Sequence, residues 1–336
     1  MSSSATFQLE KQLADFLIVQ AIYSGIKLGL IELLAEGSHT LQQAAQALQA
    51  NPSALHHLML LLAESNLLEQ ETDGSAFRLT AYGQRFQRNV PDSLYGLVMS
   101  YMELSHPAYN KLLYSVKTGY SGFEAAFQSN FYEYLARNPE AGSNFNQWME
   151  ASTTDLMQVL FAQYDFSPFR CFVDVGGNKG QLTANLLQRY PHLHGILFDL
   201  DYAVQEAPKL LQALKVADRC EIVGGNFFQA VPEGADLYMV TRVLFNWDDA
   251  HALQILQQIR ASMSKDAKLV VVEMLLPTQG VAFAELATSL NLLALVGVLL
   301  RTEAEYISLL EQAGFKTPTV TRLSGTEFHL LETSPA

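Results

Sequence analysis

The chain has 336 residues, about twice the usual domain length, so two domains are expected. Hydrophobic residues make up 49% and charged residues 16%, which excludes disorder as the main state. The net charge of −13 repels phosphate backbones and anionic lipid, and two cysteines, Cys171 and Cys220, are too few for a disulfide framework or a zinc cluster.

The stretch from Met1 to Glu10 has neither the basic flank nor the apolar run of a signal peptide. The longest apolar run, Leu292 to Leu300, is shorter than the roughly 20 residues that span a bilayer. A cytoplasmic protein with no membrane partner is expected.

In chain order, Phe16, Val19, Ile22, Ile26 and Leu30 recur at helical spacing and predict one apolar stripe on a first long helix. Thr40 with Gln43 reads as a capping box opening a second helix over residues 41–48. Asn51-Pro52 opens a third, running through Leu55, Leu58, Met59 and Leu62. Asp73-Gly74 then reads as a turn between Leu67-Leu68 and Phe77-Arg78-Leu79, a hairpin. Three helices and a wing make a winged helix-turn-helix pattern.

Charge argues against a transcription regulator. Residues 1–90 carry five Lys or Arg against eight Asp or Glu, and the third helix carries no Lys or Arg at all. A DNA reader places basic side chains there to meet phosphates and base edges. The expectation is no nucleic-acid partner, and a homodimer formed through the apolar stripe of the first helix.

Residues 104–161 read as broken helix, interrupted at Gly119 to Gly122 and at Asn138-Pro139. From Phe166 onward, apolar strands (172–175, 195–198, 220–223, 237–240 and 269–272) alternate with helices, which predicts a mostly parallel sheet covered on both faces. Thr319-Val320 and Phe328 to Leu331 read as a closing antiparallel pair.

The sharpest motif is Asp174-Val175-Gly176-Gly177-Asn178-Lys179-Gly180, between the first of these strands and its helix. Glycines there let the backbone approach a ligand at the carboxyl end of a strand. A dinucleotide fingerprint would need glycine at 178 and 181, where Asn178 and Gln181 stand, so a nucleoside without pyrophosphate fits better. Asp199, 25 residues beyond Asp174, is placed to accept two ribose hydroxyls.

These motifs resemble the class I S-adenosylmethionine-dependent small-molecule O-methyltransferases, which include caffeate and hydroxyindole enzymes. The resemblance covers nearly the whole chain. It implies an α/β fold: a Rossmann-like domain with a mostly parallel seven-stranded sheet, preceded by an α-helical winged-helix dimerisation domain. It divides the chain at 1–100 (dimerisation), 101–165 (helical, substrate pocket) and 166–336 (catalytic). S-adenosylmethionine is the implied cofactor and S-adenosylhomocysteine the product. The implied cofactor-binding residues are Asp174, Gly176, Gly177, Asp199, Leu200, Gly225, Asn226, Phe227 and Arg242. Asn178 stands for a family glycine, and Asn tolerates positive φ. Asn226 stands for a family aspartate, and its carbonyl can still accept from an amino group.

The family's His-Asp-Trp-Ser-Asp step aligns with Phe245-Asn246-Trp247-Asp248-Asp249. Its catalytic histidine is Phe245 here, and a phenyl ring accepts no proton. One supporting glutamate is kept as Glu273; the second aligns with Leu300, ahead of Arg301-Thr302-Glu303. Asp248 and Asp249 read as the cap of the following helix. His106, Met149, Phe245, Trp247, Asn291 and Leu300 are the candidate substrate-pocket residues, within an apolar pocket suited to an aromatic or polyketide-like molecule. His192 and His194, in a loop without a nearby thiolate, predict no metal site. The expected reaction is methyl transfer to oxygen or nitrogen without a histidine base. The alternative is a methyltransferase-like enzyme that keeps the cofactor but catalyses a rearrangement, decarboxylation or hydroxylation.

Overall fold

The computed structural model describes residues 5–72, 74–280 and 282–336; Asp73, half of the expected turn, lies outside the described residues. The chain forms two compact units. One takes in the chain up to Pro107 together with Tyr132–Ala151, and the other Ala108–Phe131 with Ser152–Ala336.

In the first unit, helix α1 (Ala5–Leu28) is followed by α2 (Leu41–Ala47) and α3 (Pro52–Glu64). The caps read from sequence are present. Thr40 and Gln43 bond reciprocally, and the Asn51 side chain accepts from the Ala54 amide at 3.0 Å. Strands β1 (His39–Thr40), β2 (Leu68–Gln70) and β3 (Ala76–Leu79) form an antiparallel sheet in the order β1-β3-β2, with Leu68 opposite Leu79. Leu55, Met59 and Leu62 of α3 face the core of this unit.

The apolar stripe of α1 has a different role from the one expected. Ile22, Ile26 and Leu30 are buried in their own domain, against the core that also holds Leu55 and Met59. The apolar residues exposed on α1 lie further toward its start: Leu9, Leu13, Phe16 and Leu17. Their spacing of three and four residues makes them a continuous face.

The second unit is built on a seven-stranded sheet in the order β6-β5-β4-β7-β8-β10-β9. Its strands are β4 (Cys171–Val175), β5 (His194–Asp199), β6 (Cys220–Gly224), β7 (Leu237–Thr241), β8 (Lys268–Met274), β9 (Thr319–Arg322) and β10 (Phe328–Thr333). The pairs among β4 to β8 are parallel, and β10 runs antiparallel to β8 and β9.

Alternate residues enter opposite cores. Val173, Val175, Val240 and Val271 pack on one face with Ile255, Ile259 and Leu310, whereas Phe172, Leu197, Met239 and Val272 pack on the other with Leu160 and Leu186. Burial on both faces explains the continuous apolar strands seen in the sequence. Strand order reverses at β4 and β7, so their carboxyl ends open a crevice where ligands of such sheets bind. Among the described residues, no helix is long and apolar enough to cross a membrane.

Candidate active site

The loop after β4 turns where Gly176, Asn178 and Gly180 adopt positive φ of 77°, 51° and 82°. Asn178 thus takes the left-handed conformation expected of it. Space is as tight as the backbone. A Cβ on Gly176 would lie 2.6 Å from Val243 Cγ2, and one on Gly177 would lie 2.4 Å from Leu197 Cδ1. The Gly176 amide donates to the Phe198 carbonyl at 2.8 Å, which lays the loop across the end of β5. Asp174 is buried beneath it and accepts from the Thr183 hydroxyl at 2.7 Å. Burial raises its pKa to about 6, against the pull of that hydroxyl, and the charge of Asp199 adds to the rise.

At the end of β5, Asp199 Oδ2 accepts from the Asn178 amide at 2.8 Å and Oδ1 from the Leu200 amide at 2.7 Å. Burial raises the pKa of this carboxyl, and the two amides oppose the rise. Each oxygen retains a lone pair, so the group can accept two further hydrogen bonds side by side, as a ribose diol offers them. The Leu200 side chain is exposed beside it.

Beyond β6, the Gly225 amide donates to the Asp199 carbonyl at 2.9 Å, and Asn226 Oδ1 accepts from the Phe228 amide at 2.9 Å. The carbonyl oxygen expected to face an adenine amino group therefore has one lone pair already engaged. Phe227 and Phe228 stand edge-on to Trp247, with ring centroids 6.0 and 4.8 Å apart, and His251 completes the aromatic group.

The loop after β7 carries the rest. Arg242 has a positive φ of 60°, and its amide donates to the Val272 carbonyl at 2.9 Å. Its guanidinium donates to the Ser152 and Thr153 hydroxyls at 2.8 and 3.0 Å. A short turn, Leu244–Asn246, follows, then the helix α4 (Asp249–Ser262), capped by Asp248 as expected.

This turn is gripped from both ends. Glu273, fully buried at the end of β8, accepts through Oε1 from the amides of Val243 (2.9 Å) and Leu244 (2.7 Å). Arg301, also buried, donates to the carbonyls of Leu244 (3.0 Å) and Trp247 (2.6 Å) and pairs with Asp249 at 2.7 Å. Glu273 Oε2 has no hydrogen-bond partner among the described residues. Burial drives the pKa of Glu273 up to about 8, against the backbone amides and Arg301.

Phe245, at the centre of the turn, packs with Met274, Leu292 and Leu300. The structure therefore brings Phe245 and Leu300 together, while Trp247 turns toward Phe227 and Phe228. Asn291 accepts from the Tyr109 hydroxyl at 2.7 Å. His106 and Met149 belong to the first unit, where the His106 ring lies 5.4 Å from that of Phe16. The role of Arg301 has no local signature in the sequence. The basic residue in Arg301-Thr302-Glu303 was in view, but the carbonyls it binds lie more than 50 residues away.

The protonation of Glu273 can be tested. A carboxyl with a raised folded pKa is ionised in the unfolded chain first. Wild-type stability therefore falls as pH rises from about 4.5 to about 8, by up to about 1.4 kcal/mol per pH unit for this group. In Glu273→Gln this contribution is gone. Subtracting the two denaturant-derived stability profiles should leave a slope confined to that window; parallel profiles would show that Glu273 does not carry the proton.

The comparisons agree with this architecture. Residues 109–316 match the O-methyltransferase domain and residues 11–89 the O-methyltransferase dimerisation domain. The chain is 31% identical to phenazine O-methyltransferase PhzM of Lysobacter antibioticus, over 95% of this chain and 94% of that protein. It is 34% identical to O-demethylpuromycin-O-methyltransferase of Streptomyces alboniger, over 92% and 84%. The crystal structure of LaPhzM superposes with a TM-score of 0.92 at 29% identity, covering 99% of this chain and all of that one. The chain belongs to the O-methyltransferase family: it is an S-adenosylmethionine-dependent methyltransferase with a dimerisation domain ahead of its catalytic domain.

Proposed function

We propose that this enzyme methylates an oxygen or nitrogen of an aromatic or polyketide-like small molecule by holding acceptor and donor together, without a histidine base. The observation that carries the reading is Phe245. It stands at the family's base position, where a phenyl ring accepts no proton, and is buried among Met274, Leu292 and Leu300. The relatives' names, a phenazine and a puromycin O-methyltransferase, support a flat or ring-bearing acceptor.

S-adenosylmethionine supplies an electrophilic methyl group on a sulfonium. Asp199 would hold the ribose hydroxyls, Gly176 and Gly177 would let the backbone come close, and Phe227 and Asn226 would contact the adenine. Arg242 ties the β7 loop to Ser152 and Thr153 and so fixes the cofactor side of the pocket. Phe245 and Leu300 form an apolar wall that excludes water from the acceptor.

Positioning of this kind is worth roughly 7–11 kcal/mol, whereas a general base adds about 10²–10⁴-fold. A ring nitrogen or an acidic phenol loses little without the base; an ordinary phenol, with a pKa near 10 like that of Tyr, loses more. Glu273 acts here as a positioning residue for the turn that carries Phe245. We infer further that two copies associate through Leu9, Leu13, Phe16 and Leu17 of α1. Light scattering should then give twice the 37.3 kDa chain mass, and a 37.3 kDa particle would refute the association.

The deciding assay follows labelled methyl and acceptor mass together. Wild type should deliver label to an acceptor in a cell extract of the source organism, with a mass gain of one methylene. Asp199→Ala should bind S-adenosylmethionine ten- to a hundredfold more weakly by calorimetry, since hydrogen bonds to a charged group contribute roughly 1.5–3 kcal/mol. Phe245→His should not raise turnover on that acceptor. Conversion without label, at unchanged or smaller mass, would overturn the methylation reading; unchanged affinity in Asp199→Ala would remove that residue from the site.

A further inference from the structure

The first half of the helix α5 (Phe283–Val296) is built inside out. Its exposed face carries Phe283, Leu286 and Leu290, and its buried face carries Glu285, Ser289, Leu292 and Leu293. A surface helix normally turns its charges outward and its apolar stripe inward. Glu285 is the single charged residue of α5 and is only 2% exposed, yet its Oε2 has no hydrogen-bond partner among the described residues. Ser289, one turn on, accepts from the Leu300 amide at 3.2 Å. Leu292 packs on Phe245 and Leu300.

A second buried polar atom without a partner among the described residues lies on β10. His329 stands opposite Glu273 in the β8–β10 pair, and its Nδ1 is buried without a hydrogen-bond partner among the described residues. Burial lowers the pKa of this imidazole and Arg322 lowers it further, while Glu303 and Glu285 pull it back, so Glu285 lies within electrostatic reach of the ring. The preceding residue, Phe328, packs against the Phe245 cluster. Burying a polar group without a partner costs free energy, and a carboxyl more than most. Such a cost is found where a site is shaped for something other than stability.

We propose that Glu285 recognises the methyl acceptor by taking a hydrogen-bond donor, an N–H or O–H, from the ring system. Seven residues separate Glu285 from Leu292, about 10 Å along the helix axis. A fused-ring aromatic can span that length, with one end against Phe245 and its donor group at Glu285. The inference deepens the methyltransferase reading and rests on it. It adds a specificity-determining residue on the acceptor side, away from the cofactor residues.

The test uses binding, so that it stands apart from methyl transfer. The full-length protein saturated with S-adenosylhomocysteine is titrated with 9-aminoacridine and with acridine, a pair that differs in the exocyclic amine. Wild type should bind 9-aminoacridine at least tenfold more tightly than acridine. Glu285→Gln and Glu285→Leu should each reduce that preference to about twofold or less, with S-adenosylmethionine affinity unchanged. Glu285→Leu should also raise Tm, because it removes an unpartnered polar group from the interior. Equal or undetectable binding of the two probes by wild type, or a preference that survives in Glu285→Leu, would overturn the proposal. Absence of label transfer in the assay above would instead overturn the methylation reading and leave this measurement interpretable.

Discussion

The active-site end of the sheet depends on one buried grip. Backbone amides at the start of the Leu244–Asn246 turn point at Glu273, and its carbonyls point at Arg301. A turn of this length cannot satisfy its own donors and acceptors, and burying them unpaired would cost more than any packing gained there. Two side chains of opposite type meet that need from below and from the side. The consequences run in both directions along the chain. Val243 is held against Gly176, so the loop after β4 and the turn share a contact that leaves no room for a Cβ. Phe245 is held against Leu292 and Leu300, so the apolar wall is fixed by the same two residues.

Under the proposal that Phe245 stands where the family has its histidine, the same grip is what holds the turn in place without it. The resemblance implies that Glu273 would support an imidazole in relatives; in this chain its task is different. Here one oxygen serves two amides, and burial raises the pKa of the group to about 8. Leu300 packs with Phe245, Met274 and Leu292, so this part of the wall is apolar. The proposed reaction favours acceptors that attack without first losing a proton. Glu285 supplies polarity at the far end of the same wall, where it can select an acceptor without deprotonating the attacking atom.

Much of this was legible in the sequence where the signal is local. The caps at Thr40 and Asn51, the Gly176–Gly180 turn and the strand-end position of Asp199 depend on residues a few positions apart, and each formed as read. The stripe on α1 shows the limit of periodicity. Spacing defined a face through Ile22 and Ile26, but not whether that face meets its own domain or another molecule, and the domain core took it. Trp247 lies two residues from Phe245, yet the turn sends the two rings to different clusters. Arg301 reaches its carbonyls and His329 stands opposite Glu273 only through strand order and register, which bring together residues 30 to 60 positions apart, and no local pattern carries that information.

The grip itself is most directly tested by amide hydrogen exchange at Val243 and Leu244, compared with Glu273→Leu and Arg301→Met. In wild type both amides should exchange as slowly as the central strands, although they lie in a turn at the edge of the site. Glu273→Leu should release both, and Arg301→Met should partly release them, while the amides of β4 and β7 stay protected. Fast exchange of Val243 and Leu244 in the wild-type protein, or protection unchanged by Glu273→Leu, would contradict the account.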